Sequence, residues 1–315
     1  MIAATRLTMK YGTVVALKEA TFTVSPREVV GLLGPNGAGK STAMKILTTY
    51  LYPTGGTAQV AGLDILEHPL EVRKKIGYLP EVLPLYLDME VKGYLRFVGE
   101  SRGLHGARLR ERTEWVVEKI GLKPMYRRVI RELSKGYKQR TALAQALIHD
   151  PEVIIIDEPT SGLDPHQIQE VRKLVRELAA TKTVILSTHI LQEAETIADR
   201  LLIISQGTIV GDGTLTQLRH RARNVEVSTF EVKASRAEVE KALAGISEAK
   251  RIECRGDADG YVRFCVEADP GRRLWRKLGN LARERQWELN ELGEKPLSLE
   301  ETFLALTQGE KGGAA

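Results

Sequence analysis

Along the first two thirds of the chain, apolar positions come in short unbroken runs separated by stretches of helical spacing. Val29–Leu33 and Val153–Ile156 carry no polar residue, which predicts strands buried on both faces. Thr183–Ser187 and Leu201–Ser205 read as further strands. Lys40–Leu51 is the helix expected after the first run. His166–Ala180 places Ile168, Val171, Leu174, Val175 and Leu178 on one helical face, and Ile190–Arg200 predicts one more helix. Between about 82 and 144 the pattern turns helical and charged, an insertion within an α/β domain that spans 1–218.

After Gly213 the character changes. The basic segment Arg219–Arg223 reads as a linker, taken as 219–224. Val225–Val232 then alternates as a strand, Arg236–Ala244 is helical, and Lys250–Cys254 and Tyr261–Glu267 predict two strands. Pro270–Gln286 is helical, Trp287–Leu292 completes a βαββαβ order, and Ser298–Thr307 adds a short helix. That order predicts a small ferredoxin-like α+β domain over 225–308. The Gly-rich 309–315 reads as a flexible tail.

At 315 residues, two domains are the prior, and 43% hydrophobic with 28% charged residues is a globular balance. A net charge of +5 is spread through interleaved Lys/Arg and Asp/Glu. That distribution argues for a solvated surface rather than a nucleic-acid stripe, though it also suits weak contact with anionic lipid. Two cysteines, Cys254 and Cys265, make no disulfide framework and lack metal-ligand spacing. They predict reduced thiols in the cytosol. No secretory signal is visible, and the apolar runs are strand-length, too short to span a bilayer.

The chemistry concentrates in two segments. Gly34, Pro35, Asn36, Gly37, Ala38, Gly39, Lys40 and Ser41, followed by Thr42, fit G-x-x-x-x-G-K-[ST] between a strand and a helix. Glycines let backbone N–H groups turn toward phosphates, and the helix N-terminus adds partial positive charge. Lys40 is expected on the β- and γ-phosphates, and the Ser41 hydroxyl on Mg²⁺. In VIIIDEP, Asp157 ends a buried strand where it can hold Mg²⁺, and Glu158 can polarise a water as general base.

With LSKGYKQR at Leu133–Arg140, IIIDEPTSGLDP and STHI in order behind the loop, the first domain resembles the nucleotide-binding subunits of ABC transporters. The resemblance implies ATP and Mg²⁺ bound in a head-to-tail dimer of identical or paralogous subunits. Ser134 and Gly136, within the signature Ser134, Lys135, Gly136 and Tyr137, would face the partner's γ-phosphate. Asp164 would lie at the dimer interface, His189 would hydrogen-bond the γ-phosphate, and Tyr11 would stack on adenine. Two departures stand out. Glu81 replaces the family's usual Gln yet can still ligate Mg²⁺ or its water, and LSKGY replaces LSGGQ. The other histidines, His68, His105, His149, His166 and His220, read as surface residues.

MKILTTYLYPTGG, IGYLPEVLPLYLDMEV and LSKGYKQR are further similar to gliding-motility-type ATPases that serve ABC-2 exporters. PLSLEETFLALT is similar to the closing segment of that wider group. This implies a separate ABC-2 type membrane permease, met through Glu81–Phe97, and a cytoplasmic subunit peripheral at the inner face of the membrane. Two other classes compete: a soluble ABC ATPase acting on nucleic acid or the ribosome, and a scaffold with dead sites. The single nucleotide domain, the lack of a basic stripe and the intact Lys40, Asp157, Glu158 and His189 argue against both.

Overall fold

Two long strands precede the first apolar run. In the computed structural model, which describes residues 1–222, 226–269, 271–294 and 297–308, β1 is Ile2–Tyr11 and β2 is Val14–Val24. They pair antiparallel around Gly12, which turns at φ +59. Their register shifts three times, and Arg6 and Glu19 sit at positive φ. These bulges break the period of two, which is why the hydrophobic pattern does not announce the strands.

The expected run follows as β3 (Val29–Leu33) and α1 (Lys40–Leu47). Helix α1 ends before Leu51 because Thr49 takes φ +58, a conformation no helix continues through. Next come β4 (Gly55–Val60), β5 (Leu63–Asp64), α2 (Pro69–Lys75) and β6 (Ile76–Leu79). The insertion holds α3 (Val91–Ser101), α4 (Gly106–Lys119) and α5 (Lys135–Leu147), with residues 82–90 outside any helix. The unit continues through β7 (Val153–Asp157), α6 (Pro165–Ala179), β8 (Thr183–Thr188), α7 (Leu191–Ile197), β9 (Arg200–Ser205) and β10 (Thr208–Gly213).

Strands order as β10-β9-β3-β8-β7-β6 in the main sheet, parallel from β9 to β6. A second, antiparallel sheet orders β2-β1-β4-β5. Alternate side chains of the central strands feed two cores. Ile155 and Ile185 pack with Leu32, Met44 and Leu47, whereas Ile154, Ile156 and Leu186 pack with Tyr94, Leu95 and Leu147 of the insertion. Each fully buried Ile or Leu contributes roughly 1.5–3 kcal/mol, so the sheet is anchored on both faces.

The chain divides between Leu215 and Thr216. The segment read as a linker instead lies largely in α8 (Leu215–Ala222), with 223–224 outside the described residues. Leu218 and Ala222 are buried, and Arg219, His220 and Arg221 occupy the last turn, where positive charge suits the helix dipole. The second unit then runs β11 (Glu226–Lys233), α9 (Arg236–Ala244), β12 (Arg251–Ala258), β13 (Tyr261–Ala268), α10 (Leu274–Glu284), β14 (Glu288–Glu294) and α11 (Leu299–Gln308). Its sheet order β12-β13-β11-β14, entirely antiparallel, is ferredoxin-like. Phe230, Val232, Phe264, Leu274 and Leu278 form its core, and Cys254 and Cys265 remain free thiols. The expected tail, 309–315, lies outside the described residues.

Candidate active site

Strand β3 ends at Leu33, and the chain turns back on itself before α1 starts. Gly37 and Gly39 hold φ +78 and +108, and a Cβ on Gly39 would collide with the Ala16 carbonyl oxygen. Backbone bonds fix the turn: Ala38 N–H donates to Pro35 O at 3.2 Å, and Gly207 N–H donates to Ala38 O at 3.0 Å. The Lys40 ammonium, only 5% exposed, donates to Gly34 O at 2.8 Å and Pro35 O at 3.2 Å. Asn36, Gly37, Gly39, Lys40, Ser41 and Thr42 line a cavity of about 420 Å³, which Ala16, Glu81, Glu158, Ser161 and His189 complete.

Adjacent parallel strands bring in the acid–base groups. Asp157, the last residue of β7, pairs in register with Ser187, and β8 ends one residue further at Thr188. The Ser187 hydroxyl donates to the Asp157 carboxylate, which is 3% exposed. Glu158 turns to φ +52, its N–H donating to Ser187 O at 3.2 Å and Ser187 Oγ at 3.1 Å. That left-handed backbone costs on the order of 1 kcal/mol and swings the carboxylate off the strand into the cavity. There its oxygens lie 3.4 Å from Lys40 Nζ and 2.9 Å from His189 Nδ1.

Glu81 also lines a second cavity of about 240 Å³ with Lys135, Gln139, Asp157, Glu158 and Ser161. Ser41, Glu81 and Asp157 thus offer hard oxygen donors around one region, the donor set Mg²⁺ prefers when phosphate and water complete its shell. Lys135 extends over Gly162, where a Cβ would overlap its ammonium. Ser134 caps α5, accepting from Tyr137 N–H at 3.4 Å, and Asp164 caps α6, accepting from Gln167 N–H at 2.9 Å. Gly136 is buried against Gln167. The Tyr137 ring is half-buried against the insertion core, with the Arg140 guanidinium 5.5 Å from its centroid. None of the signature residues lines the phosphate-loop cavity of its own chain.

Tyr11 ends β1 at 46% exposure, outside the phosphate cavity, beside exposed Val14 and Val15. His149 departs from its reading as a surface residue. Its Nε2–H donates to Ile76 O at 3.0 Å, Nδ1 is buried without a partner, and burial pushes its pKa down to about 4. One group went unsuspected in the sequence. Glu193 on α7 is 2% exposed and accepts from the Thr160 and Thr188 hydroxyls at 2.5 and 3.1 Å. Nothing local marks it, since one of its partners comes from a different loop.

A glycine cradle opening a helix, a buried lysine, an acidic pair and a histidine just past the neighbouring strand define the site of a P-loop ATPase. The family model described as ABC transporter matches residues 17–161. The probable multidrug ABC transporter ATP-binding protein YbhF of Escherichia coli is 37% identical over 72% of this chain and 39% of its own length. The chain therefore spans well under half of that relative. The daunorubicin/doxorubicin resistance ATP-binding protein DrrA of Streptomyces peucetius is 35% identical over 89% of this chain and 84% of that one. Among solved structures, a dimeric bacterial ABC transporter cassette matches with 25% identity and TM-score 0.62, over 68% of this chain and 99% of that one. The chain belongs to the ABC transporter ATP-binding protein family.

Proposed function

We propose that this chain hydrolyses ATP in a head-to-tail dimer, of two copies or with a paralogous subunit, to drive export through a separate ABC-2 type permease. One observation carries the reading: the Glu158 carboxylate stands between Lys40 and His189 at the mouth of the glycine cradle. The N–H groups of residues 36–42 and the Lys40 ammonium bind the β- and γ-phosphates. When bound through Ser41, Asp157 and Glu81, Mg²⁺ supplies charge neutralisation across those phosphates. Tyr11, exposed beside Val14 and Val15, offers its face to adenine.

Glu158 accepts a proton from the attacking water as its oxygen bonds to the γ-phosphorus. The bond to the β–γ bridging oxygen breaks, leaving ADP and phosphate. His189 orients Glu158 and donates toward the γ-phosphate. Catalysis is positioning and charge stabilisation, as is general for phosphoryl transfer. That the phosphate-loop cavity holds no signature residue of its own chain supports a reading in which Ser134 and Gly136 serve the partner's nucleotide and Asp164 meets the partner nearby. Relatives named for multidrug transport and drug resistance support export as the direction. The motif similarity to gliding-motility-type ATPases supports the ABC-2 class.

No described helix is long and apolar enough to cross a membrane, so attachment at the inner face falls to the permease. Val82, Tyr86, Leu87 and Phe97 are exposed on the segment proposed to meet it. Replacing Glu158 with Gln should reduce turnover by roughly 10²–10⁴-fold while ATP-bound dimers accumulate on gel filtration. Hydrolysis at the wild-type rate would remove Glu158 as the base. Purification from membranes separates the classes: a co-purifying multi-span protein supports transport, and co-purifying ribosomes overturn it.

A further inference from the structure

Two segments carry the reacting groups: the 158–164 loop, from Glu158 to Asp164, and the end of β8 at Thr188 with residues 189–190, which include His189. A single carboxylate oxygen joins them. Glu193 Oε2 accepts from Thr160 Oγ1 at 2.5 Å and from Thr188 Oγ1 at 3.1 Å. The Thr188 hydroxyl in turn accepts from Ile190 N–H at 3.0 Å, so the backbone is tied on both sides of His189. Thr160, Thr188 and Glu193 are 2%, 0% and 2% exposed. A carboxylate so buried is costly to desolvate unless hydrogen-bonded, and among the described residues this one is satisfied by hydroxyls from both segments rather than by a cation.

We propose that Glu193 is a positioning residue that fixes His189 against Glu158 and passes movement of the 159–164 loop to His189. The inference rests on the reading that Glu158 and His189 serve ATP hydrolysis. The 159–164 loop and the end of β8 can each shift by a fraction of an ångström without unfolding, and such shifts at a reacting group cost rate. With one oxygen as their shared anchor, Thr160 and Thr188 move together. Displacement of Asp164 when subunits meet therefore reaches His189 by a path that does not include the nucleotide. Buried networks of this kind transmit because their groups have no water to substitute for a lost partner.

The test is steady-state ATPase kinetics on the full chain for E193A, E193Q, H189A and the H189A/E193A double variant, with thermal melting of each. E193A should lower kcat about tenfold while KM for ATP changes less than about twofold, the pattern of a group acting only at the chemical step. E193Q, which keeps an acceptor oxygen, should retain most activity. In the H189A background, E193A should cost less than about twofold further, because the residue it positions is gone. T188V removes the same link without burying a cavity and should reproduce E193A. Losses that multiply in the double variant, or a tenfold rise in KM at constant kcat, overturn the proposal. Wild-type turnover by E158Q would instead sink the functional reading, and is measured independently.

Discussion

His189 Nδ1 lies 2.9 Å from a carboxylate oxygen of Glu158, each residue standing just past the end of its own strand in a parallel pair. Register produces the meeting. Asp157 ends β7 opposite Ser187, and β8 ends one residue later at Thr188, so Glu158 and His189 leave the sheet within one residue of each other. Lys40 approaches the same carboxylate from α1 at 3.4 Å, so one anion is held by groups from two other segments. His189 is 44% exposed at its side chain, open to the cavity, whereas Glu158 is nearly closed off.

Replacing His189 with Ala removes the group that orients the base and leaves Lys40 to hold the carboxylate. We expect kcat to fall about a hundredfold, the cost typical of losing one transition-state donor, with nucleotide affinity little changed. Single-turnover hydrolysis beside fluorescent-nucleotide binding separates the two. A weakened affinity with normal turnover would mean that His189 serves binding alone.

Asp164 has two separable jobs. It caps α6, since its side chain accepts from Gln167 N–H at 2.9 Å, and it is proposed to meet the partner subunit. Asp164→Ala should cost about 1 kcal/mol of stability, as N-cap losses do, read as a lower denaturation midpoint. Asp164→Ser keeps a capping oxygen and should restore the midpoint. If the interface role is also real, the Ser variant should still assemble less well with ATP in the Glu158→Gln background. Full assembly by that stable variant would leave Asp164 a cap and nothing more.

The legible part of the molecule is the part whose signal is local. GPNGAGKS and VIIIDEP announce themselves because phosphate binding needs particular residues within a few positions, on a strand that is apolar throughout. The order βαββαβ was likewise readable, since β13 alternates cleanly and α10 carries its apolar residues at helical spacing. Strands β1 and β2 were not, because bulges at Arg6 and Glu19 shift the inward face midway. Helix α10 starts at Leu274 rather than Pro270 because buried Glu226 accepts from the N–H groups of Arg273 and Leu274, at 3.2 and 3.1 Å. Glu226 and Glu193 both act on residues supplied by folding, and neither carries a motif.

His149 gives the chain a defined weakness in mild acid. Its ring donates from Nε2 to Ile76 O, Nδ1 has no partner, and Arg102, Arg112 and Lys182 surround it with positive charge. Burial first, and then these cations, hold its pKa near 4 against an ordinary 6.5. Below pH 6.5 the unfolded chain takes up a proton that the folded chain refuses, so stability is lost as pH falls toward 4 and is unaffected above 7. For a half-buried ring the loss between pH 7 and 5 is about 1–2 kcal/mol. Asp150 and Glu28, whose hydrogen-bonded carboxyls are held below the usual range, add their losses at lower pH than this window. His149→Gln keeps a donor for Ile76 O but cannot titrate. Urea midpoints at pH 7 and pH 5 should therefore draw closer together in the variant than in the wild type, and an unchanged gap would remove His149 as the source of the acid sensitivity.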